Sequence, residues 1–380
     1  MTTHAALTTL ADLIRINSVN PNYEGGVPEA EVANYIAAFF QRHGISCELR
    51  EVLPGRPNLI ATLPGKNRKR RIVLEAHMDT VSFSGMTIDP FDPIVRDGKM
   101  YGRGACDTKG GMAAMMCAVA EVAVMDQPPP VDVLFAATID EEFSYRGVVD
   151  LCKALTADAA IVAEPTSLFP VIASKGLVRF IIETRGVAAH SAKPHLGNNA
   201  IQQMMHVIAA IQQDNEQLAK HLHPLLGPAT CNIGVIRGGI QINLVPANCE
   251  IEIDRRILPH ETCHEVLAGY QQLLCEVMQK TPAVDAVIHP PLLTDMPLET
   301  DRDAAVVETI CEVLESLEHL STPIGVPFCS DASKLGAVGI PSIIFGPGSI
   351  DQAHAAIEYI DCQSVVDAVD VYREFILRFQ

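Results

Sequence analysis

The chain has 380 residues, 48% of them hydrophobic and 19% charged, with a formal net charge of −18. That balance excludes a disordered chain and argues against nucleic acid or an anionic membrane as partner, because phosphate recognition needs clustered Lys and Arg. No run reaches the ~20 apolar residues of a membrane span, and the length points to two domains. Eleven Cys are scattered without a C-x-x-C pair, which fits reduced thiols rather than a disulfide frame. Met1-Thr-Thr-His-Ala-Ala lacks the basic and apolar regions of a signal peptide, so a cytoplasmic protein is expected. The single basic run, Lys66-Asn-Arg-Lys-Arg-Arg71, is expected to be a solvated loop between strands.

In chain order, Thr3 is placed to cap a first helix with apolar positions Leu7, Leu10 and Ile14, ending before Asn20-Pro21. Pro28-Glu-Ala-Glu31 opens a second helix, and Gly44 follows its basic end as a C′ glycine. Residues 47–52 and 58–63 read as strands, with Pro54-Gly55 and Pro64-Gly65 as turns. Residues 72–76 and 131–139 are expected as central strands of a mostly parallel sheet. A glycine-rich loop and a small-residue helix from about 109 to 125 join them, and Gln127-Pro-Pro-Pro130 ends that helix. Residues 159–163 supply another buried strand. Alternating strands and helices of these lengths describe a three-layer α/β domain.

From about Lys175 the pattern changes. Residues 177–182 read as a strand, 198–220 as a helix, 230–236 and 247–257 as strands, 261–280 as a helix and 284–288 as a strand. That βαββαβ order is ferredoxin-like. After Pro290-Pro291 the α/β style resumes, with a helix at 304–317, a strand at 343–345 and a closing helix at 364–379. The expectation is a core of residues 1–174 and 291–380 carrying an inserted domain, 175–290.

The chemistry lies where apolar runs stop. One ends at His77-Met-Asp79, one at Asp140-Glu141-Glu142 and one at Glu164; a fourth enters Gly346-Pro-Gly348 and then His354. Tyr101-Gly-Arg-Gly-Ala-Cys-Asp107-Thr-Lys-Gly-Gly111 delivers one more carboxylate just before a helix. Open α/β sheets build their sites at the carboxyl ends of strands. Taken singly, each residue is more economically a strand end, a cap or a satisfied core histidine. Together, two His and three carboxylates form a mixed N/O donor set suited to two Zn²⁺ or similar ions sharing one carboxylate. The neighbours Glu141 and Glu142 point in different directions, so one can ligate while the other carries protons.

The set H-M-D, Y-G-R-G-A-C-D-T-K-G-G, D-E-E, E-P-T and the final His resembles the acetylornithine deacetylase and succinyl-diaminopimelate desuccinylase family of di-zinc amidohydrolases, and covers essentially the whole chain. The resemblance implies a zinc-exopeptidase-like α/β catalytic domain with an inserted lid and dimerisation domain. It implies His77 and Glu164 on one zinc, Glu142 and His354 on the other, and Asp107 bridging, with cobalt as an alternative metal. It further implies Asp79 as the carboxylate that orients His77, Glu141 as general base and acid, and a cis peptide after Asp107. Gly186-Val-Ala-Ala-His190-Ser191 matches the segment whose His reaches a partner subunit's active site, so a homodimer through the inserted domain is implied. Asn243-Leu-Val-Pro246 and Arg256 of Asp254-Arg-Arg256 resemble the family's grip on the substrate carboxylate. Gly346-Pro-Gly348-Ser349 offers backbone N–H groups, with Gly348 as a grip on one end of the substrate.

The loop from Phe345 to His354 resembles the acetylornithine deacetylase branch. The expected reaction is hydrolysis of an N-acyl amino acid, N-acetylornithine first. Succinyl-diaminopimelate, or a broader N-acyl-amino-acid or carboxypeptidase range, follows. Three rivals fare worse. A nicotinamide-dependent oxidoreductase fails because Asp107 stands where the fingerprint's third glycine belongs. A cysteine hydrolase at Cys106 lacks a nearby paired His. A catalytically dead binding relative is disfavoured because every ligand and the base are present.

Overall fold

The computed structural model describes residues 4–380. The cap expected at Thr3 lies outside the described residues; the first helix, Ala5–Arg15, has its N-terminal Ala6 N–H bound by the His4 side chain at 3.3 Å. The chain divides into two compact units. One takes the chain up to Ile172 with Glu299–Ile324 and Ser330–Gln380; the other takes Ala173–Leu298 with Gly325–Cys329.

In the first unit the strand Asn67–His77 is central. It runs parallel to Val131–Thr138 on one side and to Ala159–Val162 on the other, and Ser342–Ile344 adds a fourth parallel strand beyond Ala159–Val162. The stretch Ile72–His77 and the strands Val131–Thr138, Ala159–Val162 and Ser342–Ile344 are buried on both faces, and their sequences are mostly apolar rather than alternating. The flanks are antiparallel: Arg56–Leu63 and Ser46–Leu53 on one side, Val171–Ser174 on the other. All four parallel strands therefore end on the same side, where His77, the 140–142 turn, Glu164 and the glycines after Phe345 emerge.

The helix Lys109–Ala123 is buried almost all round. It packs against the sheet, the Ala5–Arg15 helix and the closing helix Cys362–Arg378. Its run of glycine, alanine and methionine permits that: Gly111 already brings a would-be Cβ within 2.9 Å of Ala163 Cβ. Polar residues at these positions would be stranded without partners.

One expectation about this unit is corrected. The basic run 66–71 is not a loop: its residues from Asn67 open the central strand. Arg68 pairs with Asp132 at 2.8 Å and Arg70 with Asp158 at 3.1 Å, so the charges that suggest a solvated loop bind acidic partners on neighbouring segments. Three short strands, Ile94–Arg96, Lys99–Tyr101 and Tyr359–Asp361, also form a separate antiparallel sheet, with Tyr359 opposite Tyr101.

The second unit is an antiparallel sheet in the order Thr230–Gly238, Asn248–Ile257, Gly176–Arg185, with Ala286–Ile288 and Leu293–Asp295 sharing the far edge. The helices Ala200–Leu218 and Cys263–Lys280 cover one face. Their core joins Met204, Val207 and Ile211, Tyr270 and Leu274, and the inward-facing Phe180, Ile182, Ile251 and Ile253. Thr262 and Glu265 form a capping box at the start of the second helix. The Pro290-Pro291 break does not end this unit, because Leu293–Asp295 returns to the sheet and Lys175 N–H donates to Val326 O at 3.2 Å.

Candidate metal centre

The loop before Asp107 turns on glycines. Gly104 has φ +79°, and a Cβ there would meet Thr80 Cγ2 at 2.8 Å. Only glycine fits this backbone conformation and this contact. The Asp107–Thr108 peptide is cis, and Thr108 Oγ1 donates to Ala163 O at 2.9 Å, tying the loop to the strand end that carries Glu164.

The two oxygens of Asp107 face two different imidazoles. Oδ1 lies 3.2 Å from His77 Nε2 and Oδ2 lies 3.3 Å from His354 Nε2. Glu164 Oε1 is 3.9 Å from His77 Nε2, and Glu142 Oε2 is 3.2 Å from His354 Nε2. The structure thus brings together two donor trios, His77–Asp107–Glu164 and Asp107–Glu142–His354, each with its ligand atoms within 4.8 Å of one another. They share Asp107. The first trio is buried; the second opens outward, with His354 exposed.

Behind the trios lies a fixed scaffold. Asp140 sits in the left-handed region at φ +69° and turns the chain after Val131–Thr138. Its carboxylate accepts from Arg146 Nε at 2.5 Å, Ser144 Oγ at 2.7 Å, Asn20 Nδ2 at 2.9 Å and Arg56 Nη2 at 3.1 Å. Arg56 is itself clamped to buried Glu29. This turn presents Glu141 and Glu142, whose backbone N–H groups donate to Asp79 Oδ1 at 3.0 Å and Oδ2 at 3.1 Å. Asn20 Nδ2 also donates to Asp79 Oδ2, at 2.7 Å.

The Asp79 carboxylate is therefore engaged differently from its expected role. His77 Nδ1 lies 2.9 Å from the backbone O of Asp79, while the carboxylate stands 3.7 Å away. The ring is oriented by a carbonyl, and the carboxylate grips the Glu141–Glu142 backbone. The Glu141 carboxylate itself makes no hydrogen bond among the described residues and stays half-buried.

Charge decides what the pocket can hold. Burial first, then the neighbouring carboxylates, push Glu164 and Glu141 well above the usual carboxyl range. Burial would lower His77, but its hydrogen bond to Asp107 and the charges of Glu141 and Glu164 raise it well above its ordinary value. His354 is lifted to about 10, chiefly by its hydrogen bonds to Asp107 and Glu142. Burial also pushes Asp107 up, but the bonds from both imidazoles outweigh it and hold its carboxyl below the usual range. The pocket has surplus negative charge that draws protons onto its histidines. Divalent cations in the two trios would supply that positive charge, and imidazole with carboxylate is the donor chemistry of Zn²⁺ and similar ions. The residues fit the group.

The remaining predicted residues fall in two places. Gly348, in the first unit, has φ +83°, and a Cβ there would lie 2.6 Å from Cys106 Sγ. Its carbonyl accepts from Ser167 N–H at 2.6 Å. His190, Asn243 and Arg256 belong to the second unit. His190 and Asn243 lie on adjoining loops, with Ser191 N–H donating to Asn243 O at 3.0 Å and the exposed His190 ring accepting from Ala192 N–H at 3.0 Å. Arg256 is half-buried and meets Asp254 through Nε at 2.7 Å. Sequence reasoning missed Asn20, Glu29 and Arg56: Asn20-Pro21 reads as punctuation after a helix, Glu29 as part of a helix start, and nothing around Arg56 sets it apart.

Fold and site together define a class, a metal-dependent hydrolase on a mixed α/β unit with a second unit inserted. The model of peptidase family M20/M25/M40 matches residues 73–378, and the chain belongs to that family. It is 32% identical over 372 residues to the acetylornithine deacetylase of Vibrio campbellii, covering 96% of this chain and 95% of that one. Among solved structures, the aminopeptidase PepT of Bacillus cereus superposes with a TM-score of 0.83 at 21% identity, over 98% of this chain and 97% of that one. The dinuclear metal-binding M20 peptidase YXEP of Bacillus subtilis superposes with a TM-score of 0.75 at 16% identity, over 99% and 98%. The reaction is metal-dependent amide hydrolysis.

Proposed function

We propose that the protein removes the acyl group from an N-acyl amino acid, with N-acetylornithine as the substrate that yields ornithine and acetate for arginine biosynthesis. The observation that carries this reading is the near full-length likeness to an acetylornithine deacetylase, at 32% identity. The five donors around Asp107 support it chemically.

Two zinc ions, with cobalt as a substitute, would be held by His77, Asp107 and Glu164 and by Asp107, Glu142 and His354, supplying Lewis acidity toward the acyl carbonyl and toward water. Glu141 accepts a proton from the attacking water and returns it to the departing nitrogen as the C–N bond breaks. Asp79 holds the Glu141 and Glu142 backbone while that proton moves. His190 of a second copy donates to the oxygen that gains charge, a role worth roughly 10²–10³ in rate per donor. Asn243 and Arg256 grip the substrate carboxylate. Asp254 occupies the Nε edge of Arg256 and leaves its Nη1 edge for that pairing. Gly348 holds the other end through its N–H.

A homodimer through the second unit follows from the role given to His190. The outer strand Thr230–Gly238 supports it: it is the unpaired edge of its sheet, and Ile201, Met205, Ile236, Ile240 and Ile242 are all exposed in that unit. All eleven cysteines are free, which supports a reducing, cytoplasmic setting.

The test is a substrate panel of N-acetylornithine, succinyl-diaminopimelate, N-acetylmethionine and a dipeptide, each assayed with zinc and with cobalt. The highest kcat/KM is expected on N-acetylornithine. A higher value on succinyl-diaminopimelate or on the dipeptide would replace the substrate while leaving amide hydrolysis in place.

A further inference from the structure

Glu358 lies four residues after His354 and is fully buried. Its carboxylate is the convergence point of four donors, all from the loop that ends in Asp107. Arg103 Nη1 reaches Oε2 at 2.7 Å and Gly104 N–H reaches Oε2 at 3.0 Å. Cys106 N–H and Asp107 N–H reach Oε1 at 2.9 and 3.1 Å. The backbone joins in, since Gly102 N–H donates to Glu358 O at 3.2 Å. Immediately beyond, Tyr359–Asp361 pairs antiparallel with Lys99–Tyr101, the strand that leads into the same loop.

Successive backbone N–H groups turned inward form a concave anion cradle, and here the anion is the chain's own carboxylate. Hydrogen bonds to a charged acceptor are the strong kind, and four of them restrict where the backbone of Asp107 can sit. The same residue is covalently close to His354. One carboxylate thus sets both the bridging Asp107 and the segment carrying its partner imidazole, two of the three donors of the outer trio. The inner trio draws His77 and Glu164 from other strand ends.

We infer that Glu358 is a positioning residue for the outer cation site, fixing Asp107 against His354 so that the second cation binds. Glu358 belongs to neither donor trio; it acts through the Asp107 loop. The inference rests on the two-cation reading of the site. Outer partners of metal ligands typically contribute 10–100-fold in affinity, and the loss falls on the outer ion more than on the inner one.

The experiment titrates metal-stripped wild type, Glu358→Gln and Arg103→Met with cobalt(II), following the visible absorption bands and the two stepwise affinities. Circular dichroism checks the fold. Gln keeps the size but turns an amide NH₂ toward backbone N–H groups that need an acceptor. Arg103→Met removes one donor and leaves the three backbone ones. Glu358→Gln is expected to bind the first ion within a few-fold of wild type and the second about 10–100-fold more weakly, with an altered absorption spectrum at two equivalents. Arg103→Met is expected to show a smaller shift of the same kind. A purely structural role would move the melting temperature without moving the ratio of the two affinities. A folded Glu358→Gln with wild-type affinities and spectrum overturns the inference. So does a Glu358→Gln that fails to fold while Arg103→Met keeps the wild-type ratio. If wild type itself takes up fewer than two equivalents, the two-cation reading fails instead.

Discussion

Replacing Asn20 probes the scaffold that aims the site without touching a donor. Asn20 is fully buried. Its Nδ2 donates to Asp79 at 2.7 Å and to Asp140 at 2.9 Å, while its Oδ1 accepts from Asn22 N–H at 3.0 Å and Nδ2 at 2.8 Å. Asn20→Asp keeps the acceptor side and removes the donor side. Hydrogen bonds to charged groups contribute about 1.5–3 kcal/mol each, so losing both costs about 3–6 kcal/mol. A new carboxylate wedged between Asp79 and Asp140 is also driven toward its protonated form by the two like charges. Its folded pKa is then raised above the unfolded value, so the variant binds more protons folded than unfolded and its stability falls as pH rises. As an acid it also regains one donated bond. Denaturant unfolding of zinc-loaded protein at pH 5 and pH 8 should show Asn20→Asp nearer wild type at pH 5. Asn20→Leu should be destabilised without that trend, and kcat should fall about 10–100-fold in both because the Glu141–Glu142 turn loosens. Wild-type stability of Asn20→Asp at pH 8 would refute the reasoning.

Three further outcomes follow from the same geometry. Glu141→Gln should keep its full metal content and lose at least 10²–10⁴ in kcat, as expected for removal of a general acid–base group; near-normal turnover measured beside normal metal analysis would move the base elsewhere. The Asp140 carboxyl is held at about 2, because hydrogen bonds from Arg146, Asn20 and Ser144 and the Arg56 charge outweigh the upward push of burial. A depressed carboxyl stabilises the fold above its unfolded pKa of about 3.9 and loses that contribution as pH falls through the folded value. Arg146→Gln should therefore trail wild type most above pH ~4 and converge with it toward pH ~2, read by acid unfolding; a constant gap would contradict this. Ile236→Asp on the outer strand should yield a monomer by sedimentation, with greatly reduced activity and an intact fold; a fully active monomer would remove His190 from a neighbour's reaction.

The donors themselves were legible in the sequence for a physical reason. A parallel strand buried on both faces is a short apolar run, and its polar terminator marks the end of the sheet where sites are built. His77, Glu142 and Glu164 announce themselves in that way, and Asp107 through the glycines that precede it. The supporting residues do not. Asn20 reaches Asp79 across 59 positions and Asp140 across 120, and nothing in the chemistry of Asn20-Pro21 points that far. Glu358 follows His354 as one more acidic residue; only the fold reveals the ring of N–H groups around it. The strands Ile94–Arg96, Lys99–Tyr101 and Tyr359–Asp361 are three residues each, too short for an alternating pattern to register. The basic run after Pro64-Gly65 misleads because the partners of its charges, Asp132 and Asp158, lie far off in the chain. The inserted unit extends past Pro290-Pro291 because pairing along Gly176–Arg185, not proline punctuation, sets its limit.

The proposed site holds two cations that share Asp107. Isothermal titration of the metal-stripped protein with zinc is the decisive measurement. Two equivalents per chain are expected for wild type, with Asp107→Asn weakening both and His354→Ala losing one. A single equivalent in wild type, or two in Asp107→Asn at unchanged affinity, would contradict it.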